Sequence, residues 1–185
     1  MKIVNIFPNQ RKITGLCLFV LLLIGFNSTW AQNLPPIPAN YKLESPADFK
    51  AYETEVIQCI YWLAETPRNT HPEMRQKTED FLVQWIYGSP YVNVIIEPYI
   101  MKLSSKNADL LLSFIFGYSL YQLEHPGDKN LLPANVAGLT NLLNDYQKNL
   151  KVLKKDPLID KVIGLQASGK LSDWILPQLG QKTLN

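Results

Sequence analysis

The chain has 185 residues, 46% of them hydrophobic, with 18 lysine and arginine side chains against 16 aspartate and glutamate side chains. Three of these cations, Lys2, Arg11 and Lys12, precede residue 32, where no acidic residue occurs, so 15 cations and 16 acids follow. A domain without net positive charge is not expected to bind nucleic acid or an anionic membrane surface. The length fits one domain with a full hydrophobic core.

Residues 1–31 have the pattern of a cleaved signal peptide. The three cations precede an apolar run at residues 15–26, and the small residues Thr29 and Ala31 follow it. This order indicates cleavage before Gln32. The run of about 12 residues covers roughly 18 Å as a helix, which is too short for a hydrocarbon core of ~30 Å. We therefore expect export to the periplasm or the extracellular space, with no stable transmembrane span after processing.

Residues 32–44 are rich in proline, which favours extended backbone. They are expected to form an extended tether, or a strap laid along the domain. The first helix is predicted over residues 45–65, because Ser45 is a good N-cap, a proline follows it, and the acidic Asp48 comes three residues after the cap.

The two cysteines are not expected to pair. Cys17 lies in the predicted signal peptide and leaves with it, so Cys59 is the single remaining thiol. Cys59 falls on the apolar face of the first predicted helix. We therefore expect a small buried side chain, in preference to a reactive nucleophile.

A second helix is predicted to begin with Thr70 as its cap and Glu73 in the capping-box position, and to end at Gly88. Residues 91–96 alternate as a strand would, but no second strand is evident to pair with them. They are interpreted as an extended connector that leads into a short helix over residues 98–103.

The remaining segments predict a helical bundle. Residues 107–124 are hydrophobic on all sides, which is typical of a helix in the middle of a bundle. Pro133 is expected to start an amphipathic helix, and a last long helix should run from Asp156 to Gly169. The predicted fold of residues 45–185 is an all-α, single-domain bundle of about five helices around the central hydrophobic helix.

A histidine and nearby acids make a metal site conceivable. The candidate ligands are Glu73, Glu124, His125 and Asp128, which would meet if the start of the second helix lay near the end of the central helix. The spacing matches no metal-binding motif. A protonated His125 beside the negative end of the central helix dipole is a sufficient structural explanation. No cofactor is expected.

Aromatic side chains cluster where the second predicted helix ends. Trp85, Tyr87 and Tyr91 lie at a helix end and the loop after it, where a concave apolar binding site could be exposed. Most other rings occur at helical spacing among aliphatic residues, as core side chains do. These three residues are therefore the candidate binding residues.

Three short motifs, together with Ala31-Gln32 at the end of the leader, resemble uncharacterised small exported helical proteins of Gram-negative bacteria. The motifs are Trp85-Ile86-Tyr87-Gly88-Ser89-Pro90, Gly117-Tyr118-Ser119-Leu120-Tyr121 and Gly169-Lys170-Leu171. The resemblance implies an all-helical fold in the periplasm or outside the cell, and it carries no assigned activity or catalytic residues.

Two functions are compatible with these patterns. Because no catalytic motif occurs, the first is a non-catalytic interaction or binding module whose partner is another envelope protein or a small apolar ligand. The alternative is an envelope hydrolase, metal-assisted or not, that uses the cluster of His125 and the neighbouring acids.

Overall fold

Residues 34–180 are the part of the chain that the structure, a computed structural model, describes. The predicted signal peptide, residues 1–31, lies outside them. Within the described part every regular element is helical, and none of its helices is long and apolar enough to cross a membrane. The helices are α1 (Pro46–Ala51), α2 (Glu53–Glu65), α3 (Pro72–Gly88), α4 (Pro98–Ser104), α5 (Leu110–Glu124), α6 (Leu131–Lys148), α7 (Pro157–Ala167) and α8 (Leu171–Ile175), followed by a 3₁₀ turn at Leu176–Gln178.

The predicted all-α class is confirmed for residues 34–180, with eight α-helices where about five were expected. Helix α1 begins as predicted, because Ser45 and Asp48 form a reciprocal capping box. The hydrogen bond from Ser45, with two backbone amides, lowers the pKa of Asp48. The single helix predicted over 45–65 is split at Tyr52 (φ −105°, ψ 8°), whose amide donates to Phe49 O in a four-residue turn.

Two predicted helix starts were wrong. Helix α3 begins at Pro72, since a proline disfavours helical backbone at the residue before it. The cap position therefore falls to His71, in left-handed conformation (φ 52°), and Thr70 and Glu73 form no capping box. Helix α6 starts two residues before Pro133, which fits in the first turn because amides there need no helical partner.

The bundle has two hydrophobic cores, one on each side of α5. The N-terminal core consists of buried side chains from α1, α2 and α3, with Val92 and with Phe116 of α5. The C-terminal core consists of buried side chains from α4, α6, α7 and α8, with Leu110, Phe114 and Tyr118 of α5. Because α5 contributes to both cores, it needs apolar residues on opposite sides, as its sequence has.

Helices α5 and α6 approach each other closely at two glycines. A Cβ atom on Gly117 would lie 2.6 Å from Asn141 Cβ and 2.9 Å from Ala137 O. A Cβ on Gly138 would lie 2.8 Å from Phe114 O. Because backbone atoms are among these neighbours, larger residues at either position would force the two helices apart.

A buried ion pair links the turn before α3 to α6. Arg68 donates from Nη2 to Asp145 Oδ2 at 2.6 Å, and these side chains are only 10% and 8% exposed. Ser113 Oγ also donates to Asp145 Oδ2, and Asn149 Nδ2 donates to its Oδ1. Asn149 Oδ1 in turn accepts from the Arg68 amide at 2.8 Å. The carboxylate therefore has the partners that a buried charge requires.

Two extended segments complete the N-terminal half. Residues 34–44 lie against the N-terminal core, where the Tyr41 ring meets the Phe81 ring edge-on at 4.8 Å. After α3, the Gln122 side chain of α5 accepts from the Asn93 amide at 2.8 Å and donates to Asn93 O at 3.3 Å. This side chain takes the place of a pairing strand, so residues 91–96 form the expected extended connector into α4.

Cys59 is a fully buried free thiol in the N-terminal core. Burial, with a smaller contribution from the nearby Glu55 charge, raises the pKa of the Cys59 thiol from 9.0 to about 12. Since the thiolate is the nucleophilic form, this position does not provide a reactive cysteine at neutral pH. The expected buried side chain is confirmed.

Candidate functional site

A surface cavity of about 340 Å³, here called the apolar groove, lies between the end of α3, the chain that follows it, and α5. Helix α3 contributes residues one turn apart, which its 3.6-residue period places on one side. The described lining residues are Val83, Ile86, Tyr87, Ser89, Val92, Asn93, Val94, Leu112 and Ile115.

Of the three aromatic residues predicted for binding, Tyr87 alone is among the described residues that line the groove, and this residue is 94% exposed. Trp85 is fully buried in the N-terminal core, where its Nε1 donates to Phe49 O at 2.9 Å. Tyr91 lies elsewhere on the surface, with its hydroxyl donating to Pro46 O and its ring 5.5 Å from Lys50 Nζ. The three rings therefore do not form one site.

The lining of the groove is suited to binding apolar groups. Seven of its nine described residues are aliphatic or aromatic, and none is charged. Ser89 Oγ accepts a hydrogen bond from the Tyr91 amide at 3.2 Å, and no acid, histidine or lysine stands among the described lining residues. None of these described lining residues is a base that would activate a hydroxyl nucleophile.

The aliphatic side of the groove was missed in the sequence. Val83 and Ile86 lie outside the stripe formed by the buried Thr78, Phe81, Leu82 and Trp85 of α3. Leu112 and Ile115 belong to the helix that is hydrophobic all round. Apolar residues outside the core stripe of α3 could have indicated a second apolar surface. That this surface lies next to α5 is visible only in the tertiary fold.

Of the four predicted metal ligands, the structure brings His125 and Asp128 to one shared neighbour, Tyr121. Glu124 accepts from Tyr61 OH at 2.6 Å, and His125 stacks its ring on Tyr121 with centroids 4.2 Å apart. Glu73 lies in the first turn of α3. Within residues 34–180, no group of three or more histidine, cysteine, aspartate or glutamate side chains is arranged to hold a metal ion. The described residues therefore give the metal-assisted hydrolase no support.

Asp128 has a structural role in the turn after α5. Its carboxylate accepts from the Asn130 amide at 2.9 Å and from Tyr121 OH at 2.7 Å. These bonds, that from Asn130 foremost, lower the pKa of Asp128, and the bond to Asp128 raises the pKa of Tyr121. The Asp128 carboxylate thus stays ionised and stabilises the turn that leads into α6.

The sequence matches no protein-family model, and neither a curated protein nor a solved structure is significantly similar to it. The resemblance to small exported helical proteins stays a prediction. A proposal for the function therefore rests on the structure of the chain itself.

Proposed function

We propose that the protein is an exported, non-catalytic binding module whose apolar groove takes a small uncharged apolar ligand. The observation that carries the proposal is the uncharged, mainly aliphatic lining around about 340 Å³. This volume is in the range of small-molecule sites, roughly 300–1,000 Å³. Transfer of an apolar group from water into such a lining is favourable, whereas a charged group would lose its hydration without gaining a counter-charge.

Binding can be measured with N-phenyl-1-naphthylamine, a neutral dye that fluoresces in apolar surroundings. We expect saturable binding to the purified protein and displacement by 1-decanol. Decylammonium, with the same chain and a positive charge, should displace the dye less well because nothing described in the lining balances that charge.

A pair of lysine variants places the ligand in the groove. Val83 lines it at 42% exposure, and the neighbouring Gln84 is exposed but does not line it. Val83→Lys should weaken dye binding by at least about tenfold, which corresponds to about 1.4 kcal/mol. Gln84→Lys adds the same charge one residue away and should leave binding unchanged. Equal affinities for the two variants, or no saturable binding by the parent protein, would refute the proposal.

Export is the other half of the proposal and has its own test. The gene is expressed in a Gram-negative host, and the N-terminus of the protein in the periplasmic and extracellular fractions is sequenced. We expect it to begin at Gln32, after the small residues at 29 and 31. Protein that stays in the cytoplasm with residues 1–31 attached would contradict export.

A further inference from the structure

A second cavity of about 340 Å³, here called the polar pocket, lies beside the first half of α3 and away from the apolar groove. Four of its lining residues are charged: Arg68, Arg75, Glu79 and Asp109. Val152 and Leu153, which follow α6, add an apolar wall. The lining thus combines two cations, two anions and a hydrophobic surface, a composition that the proposed function does not use.

Arg75 is a buried cation with one unpaired hydrogen-bond donor. Its side chain is 9% exposed, Nη2 donates to Leu63 O and Thr66 O, and Nη1 donates to Glu79 Oε1 at 3.3 Å. Its Nε is buried and has no hydrogen-bond partner. Buried donors are nearly always paired, so the unpaired Nε leaves the guanidinium of Arg75 short of acceptors in a residue that lines the polar pocket.

Glu79 is an anion that its two cationic neighbours, Arg75 and Arg68, compensate only in part. Its side chain is 15% exposed, and it accepts a single hydrogen bond, the one from Arg75. Burial raises the pKa of Glu79 although the hydrogen bond from Arg75 and the charges of Arg75 and Arg68 act in the opposite direction. A second donor or cation at this carboxylate would therefore be stabilising.

The charges of the lining decide between ligand classes. A lone anion such as phosphate would meet Glu79 and Asp109, and a lone metal cation would meet Arg68 and Arg75. Each would be repelled by half of the charged lining. A molecule with one group of each sign can pair with both halves at once, and its apolar portion can rest on Val152.

We propose that the polar pocket binds a small zwitterion, a free α-amino acid with an apolar side chain. Its carboxylate accepts from the guanidinium groups, where charge-assisted hydrogen bonds are strongest. Its ammonium group donates to Glu79 and Asp109, and its side chain covers Val152 and Leu153.

Three ligands that share one side chain separate the contributions. Leucine carries both charges, N-acetyl-leucine lacks the ammonium group, and leucinamide lacks the carboxylate. Titration calorimetry with the purified protein should give saturable binding for leucine, and at least about tenfold weaker binding for each derivative, since each loses hydrogen bonds to charged groups. Equal binding of N-acetyl-leucine, or no saturable heat with leucine, would overturn the proposal.

Two variants in α3 then test whether the Glu79 carboxylate binds the ammonium group of the ligand. Glu79→Gln keeps the shape and removes the charge, and it should weaken leucine binding by at least about tenfold. Asp80→Asn makes the same change one residue away, at an exposed position outside the pocket, and should bind leucine normally.

A second variant, at a surface residue, tests the proposal even if Glu79→Gln fails to fold. Asp109 is 73% exposed and is a secondary partner of Arg68, so Asp109→Asn tests the other anion at little cost to the fold. Its leucine affinity should also fall, by a smaller factor because of its exposure. Parent-like affinity in both pocket variants would overturn the proposal.

Discussion

The two hydrophobic cores are closed in different ways. In the C-terminal core the backbones of α5 and α6 lie against each other at Gly117 and Gly138, where even one added carbon would meet main-chain oxygen. Large aromatic side chains are buried in both cores, but it is a side chain, the Phe49 ring, that a Cβ on Gly88 would meet in the N-terminal core. Trp85 is its largest fully buried member, with its ring edge-on to Phe49 at 6.1 Å.

This difference agrees with the positions of the apolar groove and the polar pocket. Two helices in backbone contact leave little space between them, whereas the two ends of α3 lie beside irregular chain at residues 92–94 and 152–153. The apolar groove borders the second half of α3, and the polar pocket borders its first half. Both candidate sites are therefore formed by a helix of the N-terminal core together with connecting segments, the places where binding residues commonly occur.

The largest loss of stability is expected when the indole of Trp85 is removed from the N-terminal core. Trp85→Ala deletes a fully buried ring and leaves Phe49 O without its donor. We expect the free energy of unfolding to fall by about 4 kcal/mol, as for other buried aromatic truncations. Urea unfolding followed by circular dichroism measures the change.

The matched control lies in the other core. Trp174 is partly buried and packs edge-on against Tyr99 at 5.4 Å. Trp174→Ala should cost about 2 kcal/mol, because less apolar surface is lost from burial. If Trp174→Ala proved the more damaging substitution, the view that the indole of Trp85 closes the N-terminal core would be wrong.

The next largest effect should come from the ion pair that joins the two halves. Asp145→Asn keeps the side-chain shape but leaves the Arg68 guanidinium buried without its main counter-charge. We expect a loss of about 3 kcal/mol in the free energy of unfolding. Asp109→Asn removes a second, 73% exposed partner of the same arginine and should cost less than about 1 kcal/mol. Similar losses in the two variants would show that burial of Asp145 does not matter.

Local chemistry made much of the fold predictable. Asp156 caps α7 through a hydrogen bond from the Leu158 amide, and Gly169 takes the left-handed conformation (φ 72°) expected after that helix. The even hydrophobicity of α5 indicated its place between other helices. These signals act within a few residues and so can be read from the chain directly.

The candidate sites were less predictable, because residues far apart in sequence form them. Residues 85 and 87 are about 200° apart around a helix, so the burial of Trp85 and the exposure of Tyr87 could have been anticipated. The meeting of Val83 with Leu112, or of Arg75 with Val152, depends on how whole helices pack. The spacing of apolar residues along the sequence does not determine which residues of two helices lie next to each other.

Backbone contact in the C-terminal core predicts an unusual response to alanine. Alanine normally stabilises an exposed helix relative to glycine, and Gly164 in α7 has open space around its Cα, so Gly164→Ala should add about 0.5–1 kcal/mol. Gly138→Ala should instead cost about 2 kcal/mol, because its Cβ would press on Phe114 O. Thermal unfolding of both variants tests the contrast. Stabilisation by Gly138→Ala would mean that the two helices can separate at little cost.

The smallest effect concerns the buried thiol of the N-terminal core and appears only at alkaline pH. With its pKa raised from 9.0 to about 12 by burial, Cys59 stays neutral in the folded protein while the unfolded chain ionises. The stability that the thiol contributes is thus complete below pH 9 and is lost as the pH rises toward 12.

Between pH 8 and pH 10 the free energy of unfolding should fall by about 1 kcal/mol more in the parent protein than in Cys59→Ala. Tyrosine and lysine titrate in both proteins, so the difference isolates the thiol. Urea unfolding at the two pH values supplies the measurement. Parallel pH dependence would mean that the thiol ionises as readily in the folded protein as in the unfolded chain. The side chains of the N-terminal core would then be less tightly closed than the backbone contact of α5 and α6.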